Sequence, residues 1–158
     1  MTTLHPLLRE FGEWLVAEFR ADGALDGVHL CDGDRAHPAE LLVRLDVGKK
    51  SYYLARVKQD QQLLEVGFAT EGRVVNESIE EMILDNGGDL DDLLADELCD
   101  LGGEPIPMTH YFERPVFLFV SPLALESPEA LHDALLRQRV RNVIKASRIL
   151  FQGCVDEA

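Results

Sequence analysis

His29, Cys31, Asp32, Asp34 and His37 fall within nine positions and form the chain's one sequence cluster of mixed nucleophilic and metal-ligating side chains. A thiolate beside an imidazole can attack an electrophile, and two imidazoles with a thiol and a carboxylate can hold zinc. The setting opposes both. Thiolate activation needs positive surroundings, whereas Asp32 and Asp34 bring negative charge. The stretch 21–40 is rich in Gly and Asp, which form turns through backbone freedom and side-chain-to-backbone hydrogen bonds, so the cluster reads first as turn formers. The five histidines (His5, His29, His37, His110 and His132) show neither HxxxH nor HExxH spacing, and no metal site is expected. Asp85-Asn86-Gly87-Gly88-Asp89 looks like a fragment of a calcium loop, but an EF-hand needs an oxygen ligand where Gly87 stands and glycine where Leu90 stands. GxGxxG, GxxxxGK[ST] and GxSxG are all missing from the sequence. These residues assign no catalytic role and no cofactor, and a non-enzymatic protein is expected.

Charge is the more informative feature. The 158 residues carry 15 Lys plus Arg against 29 Asp plus Glu, a net charge of −14. From Val74 to Glu113 there is no Lys or Arg and there are twelve acids, so this segment holds −12 of the −14. Nine of these acids, Glu80, Glu81, Asp85, Asp89, Asp91, Asp92, Asp96, Glu97 and Asp100, form the candidate partner-binding set. The sign reverses over 134–152, which holds Arg137, Arg139, Arg141, Lys145 and Arg148 and no acid. Two arrangements follow. Either the basic stretch neutralises the acidic one within the fold, or the acidic segment faces a basic partner through a salt-sensitive field. A sharper form of the second is mimicry of nucleic-acid charge.

The same balance disfavours direct contact with nucleic acid or with an anionic membrane surface. No run approaches the roughly 18 apolar residues that span a bilayer. The first 20 residues already carry Arg9, Glu10, Glu13, Glu18 and Arg20, unlike a signal peptide. Three cysteines, Cys31, Cys99 and Cys154, with no CxxC spacing suit reduced thiols in a cytoplasm.

The elements that must carry this charge can be read from periodicity, as a single α+β domain over 1–158. Leu4, Leu7, Leu8, Phe11, Leu15 and Phe19 recur at steps of three and four, so a helix is predicted over 4–20. Trp14 and Val16 widen its stripe, which points to a deep position or to contact with a second chain. A short strand is placed at Val28–Cys31. Leu41, Val43, Leu45 and Val47 alternate with Arg44 and Asp46, a strand that turns tightly at Gly48-Lys49 into a return strand over Lys50–Lys58. Gln59–Gln62 turns into a third strand at 63–69, with Leu64, Val66 and Phe68 on one face. The result is a three-stranded antiparallel meander.

Ser78-Ile79-Glu80-Glu81 reads as a capping box that starts a short helix ending at Asn86-Gly87-Gly88. Asp89 caps a second, with Leu90, Leu93, Leu94, Leu98 and Leu101 at helical spacing before Gly102-Gly103. The segment from Met108 to Leu123 is β-rich, and Pro115 divides it into two strands or marks one bulged edge strand. Ser127-Pro128 opens a long helix to about Phe151, with Leu131, Leu135, Leu136, Val140, Val143, Ile144 and Leu150 on its stripe and Gly153 as its stop.

This order, and above all the strand-to-helix run Pro115-Val-Phe-Leu-Phe-Val-Ser-Pro-Leu-Ala-Leu-Glu-Ser-Pro-Glu-Ala-Leu-His-Asp-Ala-Leu-Leu136, resembles type III secretion chaperones and YbjN-like proteins. Two helices over about 78–102 stand where one is usual, and the 21–40 loop is long. The resemblance implies a homodimer that binds another protein in extended or partly unfolded form, with no catalytic residues to carry over. The sequence-level expectation is therefore a protein-binding adaptor or chaperone-like protein acting through a sheet face, the acidic segment, or both. The alternative is an acidic inhibitor or immunity-type protein that blocks a basic nucleic-acid-binding or nuclease surface.

Overall fold

The computed structural model describes residues 6–32 and 40–157. Helix α1 (Pro6–Phe19) leads into β1 (Gly27–Asp32), β2 (Glu40–Val47), β3 (Ser51–Lys58) and, after a 3-10 turn at Gln59–Gln61, β4 (Leu63–Thr70). Two helices follow, α2 (Arg73–Asp85) and α3 (Leu90–Asp100), then a hairpin of β5 (Thr109–Glu113) and β6 (Val116–Ala124). A 3-10 turn at Pro128–His132 precedes α4 (Ala134–Glu157). The strands form one antiparallel six-stranded sheet in the order β1-β2-β3-β4-β6-β5. The α+β class and the long C-terminal helix packed on the sheet are as the periodicity predicts.

Alternation explains which face the helices take. Leu41, Val43, Leu45, Tyr53, Val57, Leu64, Val66, Phe68 and Phe119 point to one side, and one continuous core joins them to Leu8, Phe11 and Leu15 of α1, Ile79 of α2, Leu94 and Leu98 of α3, and Val140, Val143, Ile144 and Phe151 of α4. The second apolar cluster, Leu54, Ala69, Leu118 and Val120, is built from strand residues that point to the other side. All four α-helices of the described residues thus pack on one face of the sheet, and among those residues the opposite face has no helix on it. Gly67 is the close-contact point of the sheet, since a Cβ there would sit 2.1 Å from the Phe119 carbonyl oxygen.

The structure corrects several local expectations. The meander has four strands, because β1 pairs with β2 along its whole length. Val47 pairs with Ser51, so the β2–β3 turn has three residues, Gly48, Lys49 and Lys50, rather than a two-residue turn, with Gly48 at a φ of 71° that glycine tolerates. Helix α2 begins at Arg73, and Ser78 lies inside it. Burial of Val75 and Asn76 beneath the helix outweighs the local capping chemistry at Ser78. Its N-cap, Gly72, is held by its N–H donating to Thr70 Oγ1 at 3.0 Å, and Thr70 Oγ1 shares a 2.9 Å hydrogen bond with Ser51 Oγ.

Ser127 and Pro128 open only the 3-10 turn. The extended backbone of Asp133 interrupts it, and the Asp133 carboxylate accepts the Leu135 N–H at 3.1 Å to start α4. The interruption drops Leu131 into the core and turns Leu135 outward, 60% exposed, so the stripe of α4 starts at Leu136. Gly153 does not stop the helix: buried Cys154 carries it past the glycine to Glu157. The glycine ends of α2 and α3, and the Asp89 cap with its carboxylate accepting from the N–H groups of Asp91 and Asp92, are as predicted. Leu4, at the predicted start of α1, lies outside the described residues.

Candidate functional site

Two charged surfaces stand out. On the open sheet face, β3 and β4 bring Arg56 opposite Glu65, and β5 lays Tyr111 and Glu113 beside them. Arg56 donates to Glu65 Oε1 at 2.7 Å, to the Tyr111 hydroxyl at 3.0 Å and to Glu113 Oε2 at 3.2 Å, while the Tyr111 hydroxyl donates to Glu65 Oε2 at 2.8 Å. Lys58 Nζ lies 3.3 Å from Glu65 Oε1. The Arg56 and Glu65 side chains are only 13% and 7% exposed. Burial pushes the Glu65 carboxyl up, but the hydrogen bonds from Arg56 and Tyr111 and the charges of Arg56 and Lys58 outweigh it and hold it below its ordinary value. Burial, together with the hydrogen bond to Glu65, drives the Tyr111 hydroxyl well above its ordinary value.

A helix-free sheet face rich in aromatics would be an apolar patch, and patches of that kind mark interfaces. This one differs. Leu54, Ala69, Leu118 and Val120 are each at most 3% exposed, packed against Leu42, Tyr52, Tyr111 and Val116. Arg44 lies over the Tyr52 ring at 4.0 Å and pairs with Asp46 at 3.2 Å. The face is closed by its own side chains, and its charges are matched.

The acidic helices are built the other way. Leu94 and Leu98 of α3 and Val75 and Ile79 of α2 anchor them, and their polar sides carry the nine predicted acids. Three of the nine also do local structural work: Glu80 accepts from Asn76 Nδ2 at 2.9 Å, Asp89 caps α3, and Asp91 Oδ1 accepts the Met108 N–H at 2.8 Å. Glu81, Asp85, Asp92, Asp96 and Asp100 are exposed and Glu97 is half-buried. The charge of Asp89, with smaller contributions from Asp96 and Asp91, raises the Asp92 carboxyl above its ordinary value, a mark of crowded like charge.

The basic stretch of α4 does not relieve this crowding. Arg137 pairs with Glu10, Arg141 with Glu18 at 3.9 Å, and Arg148 with Asp22, all on α1 or just after it. Among the described residues, Arg139 alone of this stretch pairs with the acidic segment, at Glu104, 3.5 Å away. Among the described residues, none of the nine candidate acids forms an ion pair with Lys or Arg. Arg137 and Arg141 also stack over Trp14 of α1 at 4.6 and 5.2 Å.

His29 pairs with Asp46 at 2.9 Å and Cys31 lies opposite Leu42, while Asp34 and His37 fall outside the described residues. Among the described residues no group of three His, Cys, Asp or Glu is placed to hold a metal ion. Cys31, Cys99 and Cys154 are free thiols on three different elements. His110 stacks on Phe119 at 3.9 Å and its Nε2 lies 3.0 Å from Asn76 Oδ1; burial pushes it below its ordinary value, against a smaller opposing effect of Glu80.

The Arg56, Glu65 and Tyr111 network went unseen in the sequence. Arg56 and Glu65 fall on the polar sides of consecutive predicted strands, so the register of the Gln59–Gln62 turn was the available signal, whereas Tyr111 comes from the far hairpin. No protein-family model, no curated protein and no solved structure matches this chain. No helix is long and apolar enough to cross a membrane among the described residues.

Proposed function

We propose that this chain is a non-enzymatic, protein-binding adaptor that engages a basic partner through the acidic surface of α2 and α3. The observation that carries the reading is the destination of the α4 arginines. Three of the four, Arg137, Arg141 and Arg148, pair with Glu10, Glu18 and Asp22, and Arg139 pairs with Glu104, beyond the end of α3, so among the described residues the candidate acids of α2 and α3 are left without a Lys or Arg partner although cations were available to neutralise them. Uncompensated like charge costs stability, and a complementary partner recovers that cost while gaining speed and selectivity of association. The closed, charge-matched sheet face offers no comparable surplus. The helix, meander, helix pair, hairpin and long helix also support the chaperone-like, homodimeric character implied by the resemblance, and three free thiols suit a cytoplasmic setting.

The experiment is capture from the native host with tagged wild-type chain and with a variant carrying Asp92→Asn, Asp96→Asn and Asp100→Asn, washed at low and high salt. A basic protein held by the wild type at low salt, released at high salt and lost by the variant is the expected result. A partner that survives high salt and binds the variant equally would overturn the reading in favour of the sheet face. Inhibition of a nuclease by the wild type, relieved by the variant, would specify an inhibitor within the same surface.

A further inference from the structure

Ser51 opens β3 opposite Thr70, the last residue of β4, so the β2–β3 turn and the first turn of α2 meet at one end of the sheet. Between them and the end of α4 lies a hollow of about 580 Å3. Val74, Val75 and Val155 give it an apolar lining, Lys49, Lys50 and Arg73 bring three cations, and no acid lines it. Among the described residues, these three cations form no ion pair. The neighbouring acids Asp26, Asp46, Glu71, Glu77 and Asp156 all lie outside the lining, and most are engaged elsewhere. Asp26 Oδ2 accepts the Gly48 N–H at 2.7 Å, Asp46 pairs with Arg44 and His29, and Asp156 Oδ1 accepts from Gln152 Nε2 at 2.9 Å. The charge of Glu71 acts on Tyr52, which packs on the opposite face of the sheet.

We propose that this hollow binds a phosphate monoester with a small apolar body. The cations define the head and the valines define the body. A carboxylate brings one negative charge to three cations, whereas a phosphate monoester brings about −1.5 to −2 and three acceptor oxygens. Arg73 can take two of those oxygens at once, and Lys49 and Lys50 close on the head as mobile point charges. The body lies against Val74, Val75 and Val155, and the hollow falls within the roughly 300–1,000 Å3 of small-ligand sites. The N–H groups of the first turn of α2, where Gly72 supplies no capping side chain, strengthen a field that the three side chains already set. The hollow shares no residue with the nine candidate acids, so this activity is separate from the binding of a basic protein.

The probe is phenyl phosphate, titrated into the isotope-labelled full chain in a phosphate-free buffer and followed by NMR. Saturable shifts confined to the β2–β3 turn, the first turn of α2 and Val155 are expected. Lys50→Ala with Arg73→Ala should weaken binding at least about tenfold, the size of a charge-assisted hydrogen bond. Lys50→Arg with Arg73→Lys keeps the charges and should keep most of the affinity. Val74→Glu places an acid on the apolar lining at a helix position that tolerates one, and should abolish the shifts. Circular dichroism shows whether each variant is folded. Inorganic phosphate, which lacks the body, and benzoate, which lacks the second charge, should each bind several-fold more weakly, and phenol should produce no shifts. A phosphotyrosine peptide separates the two sources of the same head: tighter binding than phenyl phosphate assigns it to a modified protein, and equal or weaker binding to a free small molecule.

Absence of saturable shifts at the hollow overturns the proposal, as does unchanged affinity in a folded Lys50→Ala, Arg73→Ala variant. Inorganic phosphate binding as tightly as phenyl phosphate removes the apolar body, and benzoate binding as tightly removes the phosphate head; either result overturns it. Shifts of equal size around Lys145 and the other cations of α4 would mean unspecific attraction to positive charge, and overturn it too.

Discussion

The open sheet face and the α2–α3 surface use the same side-chain types to opposite ends. On the sheet, Arg56, Lys58, Glu65 and Glu113 balance, and the Arg56 and Glu65 side chains are nearly dry, so each charge has the other as its solvent. On the helices most of the acids face water, and three of the four α4 arginines are committed to the α1 side of the molecule. A dry matched pair is expensive to break and has nothing left to offer a partner, whereas wet unmatched charge is cheap to remove and open to one. Which region can do work on another molecule follows from where the counter-charges sit, since both are densely charged.

The comparison breaks most sharply at Glu65. Glu65→Ala leaves the Arg56 guanidinium and the Tyr111 hydroxyl without their main acceptor, and a loss of about 3 kcal/mol is expected by urea denaturation. Asp96→Ala, on the wet surface, should move the midpoint hardly at all. Equal effects would erase the distinction. A smaller loss, about 1 kcal/mol, is expected for Asp89→Ala, because it removes the cap of α3. Its neighbour makes the contrast: Asp92→Asn should leave the midpoint unchanged or slightly raised, since it removes a charge that Asp89 already repels.

Acid sharpens the difference further, because the two regions respond with opposite sign. The folded Glu65 carboxyl sits below its ordinary 4.5, so between the two values the unfolded chain binds the proton first. Its contribution is present above pH 4.5 and is lost as pH falls through the folded value. The folded Asp92 carboxyl sits above its ordinary 3.8, so the folded state binds the proton first and mild acid relieves the repulsion. Denaturation midpoints measured from pH 7 to 3 should therefore fall less steeply in Glu65→Gln than in the wild type, and more steeply in Asp92→Asn. The smallest effect belongs to His110, whose folded value lies below 6.5. It is held neutral on Phe119, so its contribution is present above pH 6.5 and declines below it, and His110→Gln should flatten that slope.

Most elements were legible because their signals are local. Alternation over Leu41 to Val47 places β2 and its inward face, and the helical spacing from Leu90 to Leu101 with Asp89 before it places α3 and its cap. The misplaced helix ends share one cause. At Ser78 and at Ser127-Pro128 a valid local start signal lost to burial elsewhere, of Val75 and Asn76 in one case and Leu131 in the other. At Gly153 a valid stop signal lost to the packing of Cys154. Capping chemistry is worth about 1 kcal/mol, and burying a large apolar side chain roughly 1.5–3, so packing prevails where they disagree.

The acidic candidate set was visible as composition, because a segment with twelve acids and no base is a fact of order along the chain. Its meaning was not, since both pairing schemes for the basic stretch are compatible with that order. The amino-acid sequence by itself determined the class of fold, the inward faces of the strands and the placement of charge along the chain, all of which depend on neighbours within a few residues. Only the tertiary structure decided that Arg137, Arg141 and Arg148 of α4 turn to Glu10, Glu18 and Asp22, and that Tyr111 crosses to Arg56 and Glu65. Those pairings join residues 46 to 127 positions apart, and side chains at such separations meet only when the whole sheet and its helices close together.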